Sequence, residues 1–233
     1  MNARYLLEIS VETLGAAIAA QRGGAHLIEL CAELAVGGVT PSVELIRAVR
    51  EQVQLPIFAM VRPRAGDFVY SDAEFDSMRR EVASAKQLGI DGVVLGLLTP
   101  DRRVDIPRTR ELVQFARPLP ITFHRAFDDA ADLHGALEDV IQTGAARILT
   151  SGGAPTAPEG AAALAKLVAA AKNRVIIVPG SGINAANITQ VAEQTRAREF
   201  HSGLGTRIPY GSSDYSLFED EIRKMADVLA RKV

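Results

Sequence analysis

The chain has 233 residues, its 26 Lys plus Arg nearly balance 28 Asp plus Glu, and close to half of its residues are hydrophobic. That balance excludes the one-signed field that nucleic acid or an anionic membrane surface would need, and a single cysteine excludes both an internal disulfide framework and a Cys-cluster zinc site. No apolar run approaches the roughly 20 residues of a membrane span, and the opening MNARYLLEIS lacks the apolar stretch of a secretory signal, so the cytoplasm is the expected compartment.

In chain order, short apolar runs ending in a polar residue alternate with stretches of helical periodicity. The predicted strands are Leu6–Ser10, Leu27–Cys31, Ile57–Arg64, Val93–Gly96, Ile121–Arg125, Ile148–Gly153, Val175–Gly182 and Glu199–Gly203. Between them, helices are predicted over Val11–Arg22, Pro41–Gln52 with proline at its start, Ala73–Leu88 capped by Ser71 or Asp72, Asp105–Ala116, Asp132–Thr143, Glu159–Lys172, Asn184–Gln194 and Tyr215–Lys232. GGAPTAPEG is the one Pro/Gly-rich stretch, and a helix follows it at once, so it reads as a loop rather than a domain boundary. Eight strand–helix repeats with no ninth predict one α/β domain over 1–233, a single parallel (β/α)8 TIM barrel. Such a barrel takes about 250 residues and works at the C-terminal ends of its strands.

Alternation then sorts the side chains, because the outer face of each strand must be apolar to meet the helices. In LIELC, Ile28 and Leu30 face outward and Leu27, Glu29 and Cys31 inward. The same rule aims Glu8, Met60, Arg62, Arg64, Thr122, His124, Glu199 and His201 at the axis. Burying an unpaired charge costs several kcal/mol, so Glu8, Glu29, Arg62, Arg64, His124 and His201 are the candidate catalytic set. The alternative is a salt network in which the acids neutralise the arginines and plug the mouth. Ser151, Gly152, Gly180, Ser181, Gly182, Ser202 and Gly203 lie on the loops after strands six to eight. There, backbone N–H groups and a helix start near Asn184 would hold a phosphate or carboxylate. Arg125 and Asp128 are placed at the rim, and Asp67 and Tyr70 in loop packing.

The segments LLEIS, ELCAELAVGGVTPS, RPRAGDFVYSDAEF, TFHRAFD, LTSGG and EFHSG, in this order and spacing, resemble the CutC family over essentially the whole chain. The resemblance implies a barrel of this size, cytoplasmic, a homodimer or higher homo-oligomer, and associated with copper homeostasis and copper binding. Two departures stand out. Many family members have cysteine directly after the first strand's Glu-Ile, where this chain has Ser10 and Val11, and the tail after EFHSG is shorter. Copper(I) prefers thiolate and thioether, so Cys31 is the candidate metal ligand, with Met60 as its one inward neighbour and low intrinsic copper affinity expected. The partner expected at the mouth is a small anionic ligand or a metal ion. A TIM-barrel enzyme doing acid–base or metal-assisted chemistry on a small anionic or sugar-like substrate is the alternative. None of the five lysines sits at a strand end, which disfavours a Schiff-base aldolase.

Overall fold

The computed structural model describes residues 5–204 and 214–231. Within them run β1 (Leu6–Val11), α1 (Leu14–Arg22), β2 (Leu27–Leu30), α2 (Val43–Gln52), β3 (Ile57–Met60), α3 (Asp72–Gln87), β4 (Gly92–Leu95) and α4 (Ile106–Ala116). The second half continues with β5 (Ile121–Phe123), α5 (Leu133–Thr143), β6 (Arg147–Thr150), α6 (Ala161–Ala171), β7 (Ile176–Pro179), α7 (Ile188–Thr195), β8 (Glu199–Ser202) and α8 (Ser216–Ala230). The strands form one parallel sheet in the order β7-β6-β5-β4-β3-β2-β1-β8. β7 and β8 lie against each other at the seam without a ladder among the described residues. The protein is a nearly closed TIM barrel.

Alternation along the strands separates two apolar regions. Leu7, Ile9, Val11, Ile28, Leu30, Val93 and Phe123 join the helix faces in the large core between sheet and helices. Leu27, Cys31, Phe58, Met60 and Val94 form a small separate cluster, the inward set of β2 to β4. At the seam Gly180 is required: a Cβ there would stand 2.4 Å from Leu149 Cδ1 and 3.3 Å from His201 Cβ. Its absence lets β7 close on the strand that carries a site histidine.

The helix starts follow local capping chemistry. Ser71 accepts from Glu74 N–H while the Glu74 carboxylate accepts from Ser71 N–H, a capping box that fixes where α3 begins. Asp105 caps α4, Asp132 caps α5, and Thr13 caps α1. Three expectations shift. α2 is capped by Ser42, so Pro41 precedes the helix instead of opening it. α7 begins at Ile188, four residues later than expected, because Asn184 and Asn187 fold the chain into a turn that bonds to its own backbone and to Gly182 O. α8 runs to Ala230, and Lys232 lies outside the described residues.

Candidate functional site

Three neighbouring strands build the floor of the barrel mouth. Glu8 on β1 stands opposite His201 on β8, and Glu29 on β2 stands opposite Ser10, one step further up β1. Glu8 Oε1 and His201 Nδ1 are 2.8 Å apart. Below them Arg147, the first residue of β6, donates to Glu199 Oε2 at 2.8 Å and to Thr122 Oγ1 at 3.1 Å. Its Nη2 lies 2.5 Å from Glu8 Oε2, close enough for strong Coulomb attraction but off hydrogen-bond alignment. All of these charged groups except the partly exposed Glu199 are buried. Burial alone would raise the Glu8 pKa, but Arg147 first and His201 second overrule it and bring it down to about 2. Burial would likewise lower the His201 pKa; the Glu29 and Glu8 carboxylates outweigh it and hold it above the ordinary imidazole value.

Glu29 is different. Its Oε2 is buried and has no hydrogen-bond partner, and the residue is only 3% exposed. Burial, with the Glu8 charge in support, pushes its pKa up to about 7 against the opposing pull of His201 and Arg147. Among the described residues, Glu8, Glu29 and His201 make the one group of metal-ligating side chains with ligand atoms within 4.8 Å of one another.

Above this floor opens a cavity of about 570 Å³, lined among others by Glu29, His201, Arg62, His124, Phe68 and Met60. Arg62 spans the rim: Nη1 donates to Val36 O and Gly38 O, Nη2 to Gly66 O, and the guanidinium lies over the Phe68 ring, 4.8 Å from its centroid. Its Nε–H is buried without a partner. His124 caps the 3-10 segment Arg125–Asp129, its Nδ1 accepting from Ala126 N–H at 3.2 Å. That bond leaves the proton of the neutral ring on Nε2, which is buried and unpartnered. Burial and the nearby Arg62 charge bring the His124 pKa down to about 3, so the ring is neutral at physiological pH. Gly96 makes room for it: a Cβ there would fall 2.5 Å from Nδ1.

The structure thus brings Glu29, Arg62, His124 and His201 to one cavity, with Glu8 beneath it. Arg64 is not among the lining residues. β3 ends at Met60, so alternation no longer governs position 64. The Arg64 guanidinium instead ties down the loop ahead of α3 through Glu74 at 2.5 Å, Asp67 Oδ1 at 2.9 Å and Val69 O at 2.8 Å, over the Tyr70 ring. Cys31 also lies off the lining. Its thiol donates to Val11 O at 3.6 Å, and burial, reinforced by Glu29 and Glu12, pushes its pKa up.

The loops after β6 to β8 divide. Ser181, Gly182 and Gly203 line the cavity. Ser151 N–H and Gly153 N–H already serve the Asp128 carboxylate, Gly152 N–H binds Thr150 Oγ1, Gly180 N–H binds Thr150 O, and the Ser202 hydroxyl binds Ile183 O. Asp128, clamped also by Arg125 Nε at 2.9 Å, therefore fills the anion-binding nest of the β6 loop from within the chain. The late start of α7 removes the helix N-terminus expected beside Gly182.

Sequence reasoning missed Arg147. A strand starting at Ile148 hid it, although counting two back from the inward Leu149 would have pointed it at the axis.

Comparison with known proteins agrees with this architecture. The CutC family model matches residues 5–206. A family protein CutC of Chromobacterium violaceum is 48% identical over 197 residues, 84% of this chain and 80% of that protein. The human copper homeostasis protein cutC homolog is 44% identical over 204 residues, 87% of this chain and 75% of its own length. The crystal structure of the CutC protein of Streptococcus agalactiae superposes with a TM-score of 0.80 at 31% identity, covering 85% of this chain and 98% of that one. The chain belongs to the CutC family.

Proposed function

We propose that this protein contributes to copper homeostasis in the cytoplasm by holding a small polar ligand at the C-terminal mouth of its barrel. The observation that carries the reading is the set of unsatisfied buried atoms around one cavity: an acceptor at Glu29 Oε2 and donors at Arg62 Nε and His124 Nε2. Leaving such groups without partners costs roughly 1–3 kcal/mol each. Unlike Glu8 Oε2 and Arg147 Nη2, which lack an aligned hydrogen bond but stand 2.5 Å apart as opposite charges, these three have no ion-pair contact among the described residues to offset the cost. A ligand with an anionic or carbonyl oxygen toward Arg62 and His124, and a donor or cation toward Glu29, supplies what each lacks.

Copper(I) bound at Cys31 does not fit the residues present. The lone thiol sits among Leu27, Phe58, Met60 and Val94, keeps its proton by burial, and belongs to no cluster of ligating side chains among the described residues. The reading therefore rests on the cavity and routes no step through that sulfur.

Copper tolerance of a strain lacking the chain tests the reading. Wild type and Cys31→Ser should restore growth in added copper equally, and Glu29→Gln should not. Full rescue by Glu29→Gln would remove the mouth from the function, and an unchanged copper response of the deletion strain would remove copper.

A further inference from the structure

The strongest unassigned feature is the floor of the cavity rather than its rim. Arg147 pairs with Glu8 and Glu199, and Glu29 adds a third carboxyl beside Glu8 and His201, so in the fully ionised form that a metal requires, with a neutral imidazole, these groups carry two negative charges in excess. Charge of that size is costly in a buried layer unless something balances it. Glu29, 3% exposed and with its Oε2 buried without a hydrogen-bond partner, is one of the three residues whose ligand atoms gather within 4.8 Å.

We infer that Glu8, Glu29 and His201 form a binding site for one divalent first-row transition-metal ion. Ligands on a single such ion, at about 2.0–2.2 Å, stand roughly 3 to 4.4 Å apart. At its widest the set therefore needs to contract by about half an ångström, within reach of side-chain adjustment. The ion's two charges match the excess in the layer. Arg147 stays on the far side of Glu8, paired with Glu199, and fixes the Glu8 carboxylate in place.

The donors are two carboxylates and one imidazole, with no sulfur. That set selects Mn(II), Fe(II), Zn(II) or Cu(II) by hardness and excludes a preference for Cu(I). Glu29 and His201 line the cavity while Glu8 does not. The ion therefore has a route in from solvent, and its remaining positions open onto the cavity, the arrangement of a metal that accepts an exogenous ligand. This inference shares Glu29 with the mouth reading above but stands on the charge balance and ligand geometry of the floor.

The test is titration of chelator-treated full-length protein with Mn(II), Zn(II) and Cu(II) in separate experiments, with no organic ligand present. One equivalent per chain is expected for at least one ion, weakened at least tenfold in Glu29→Gln and in His201→Gln, and within twofold of wild type in Cys31→Ser. X-ray absorption of the loaded wild type does not depend on the variants folding. It should show an oxygen and nitrogen shell near 2.0–2.2 Å with imidazole scattering and no sulfur shell near about 2.3 Å. A sulfur shell, loss of binding in Cys31→Ser, binding that survives both Glu29→Gln and His201→Gln, or no stoichiometric ion overturns the site. Failure here leaves the mouth reading to its own growth test. Failure of that growth test leaves a measured metal site standing.

Discussion

Two layers of the same barrel treat charge in opposite ways. Around Arg147 three acceptors meet one guanidinium: Glu199, Thr122 and the Coulomb partner Glu8, whose second oxygen holds His201. One step toward the mouth, Glu29 is just as buried yet its Oε2 has no partner, and Arg62 and His124 each keep an unused donor. In the lower layer the charged groups stand against opposite charges from the chain itself, whereas in the upper one Glu29 Oε2, Arg62 Nε and His124 Nε2 lack a hydrogen-bond partner. Burial alone does not separate structure from site; the state of the partners does.

The comparison breaks most readily at Arg147. Arg147→Met leaves Glu8 and Glu199 without their cation, and loss of one partner from a buried ion pair costs about 3–5 kcal/mol. Denaturant unfolding should show a loss of that size. A loss below about 1 kcal/mol would mean the lower layer is not held by its charges.

The next effect is a pH dependence of stability. The Glu29 pKa is higher in the folded chain, about 7 against the ordinary 4.5. The unfolded state therefore releases its proton first as pH rises. Stability from this group is full below pH 4.5 and is lost as pH rises through about 7, by on the order of 3 kcal/mol. Glu8 has the opposite sign: its folded pKa is about 2, so its contribution is present above pH 4.5 and is lost as pH falls toward 2. Glu29→Gln should flatten the decline between pH 5 and 8 and should be the more stable protein at pH 8. Urea midpoints across that range measure both.

The smallest effect lies away from the mouth. Ser71→Ala removes one half of the α3 capping box and should cost about 1 kcal/mol. It should leave the pH profile unchanged, which separates loop and helix stability from the electrostatics of the floor.

These contrasts also mark what the sequence could reveal. Inward and outward faces of β1 and β2 follow from strict alternation, so Glu8, Glu29 and Cys31 are placed by pattern alone. Alternation holds only while the strand lasts. Arg62 and Arg64 both lie beyond Met60, where loop geometry decides: Arg62 bridges backbone carbonyls at the cavity wall and Arg64 clasps the entrance to α3. Arg147 was concealed by a strand boundary one residue off. The filling of the β6 nest by Asp128 depends on a contact across more than twenty residues, which no local pattern contains. Residue type and spacing can nominate buried charges, but which of them remain unpartnered depends on long-range packing.

The account turns on Glu29, and carbon-13 NMR of its side-chain carboxyl reads it directly. Labelled metal-free protein is titrated from pH 4 to 9, with Glu29→Gln assigning the resonance. The account predicts a midpoint near 7, well above the ordinary glutamate value. A midpoint at or below 5 would show a carboxylate already satisfied within the fold, and would contradict the claim that the mouth is built to receive a partner.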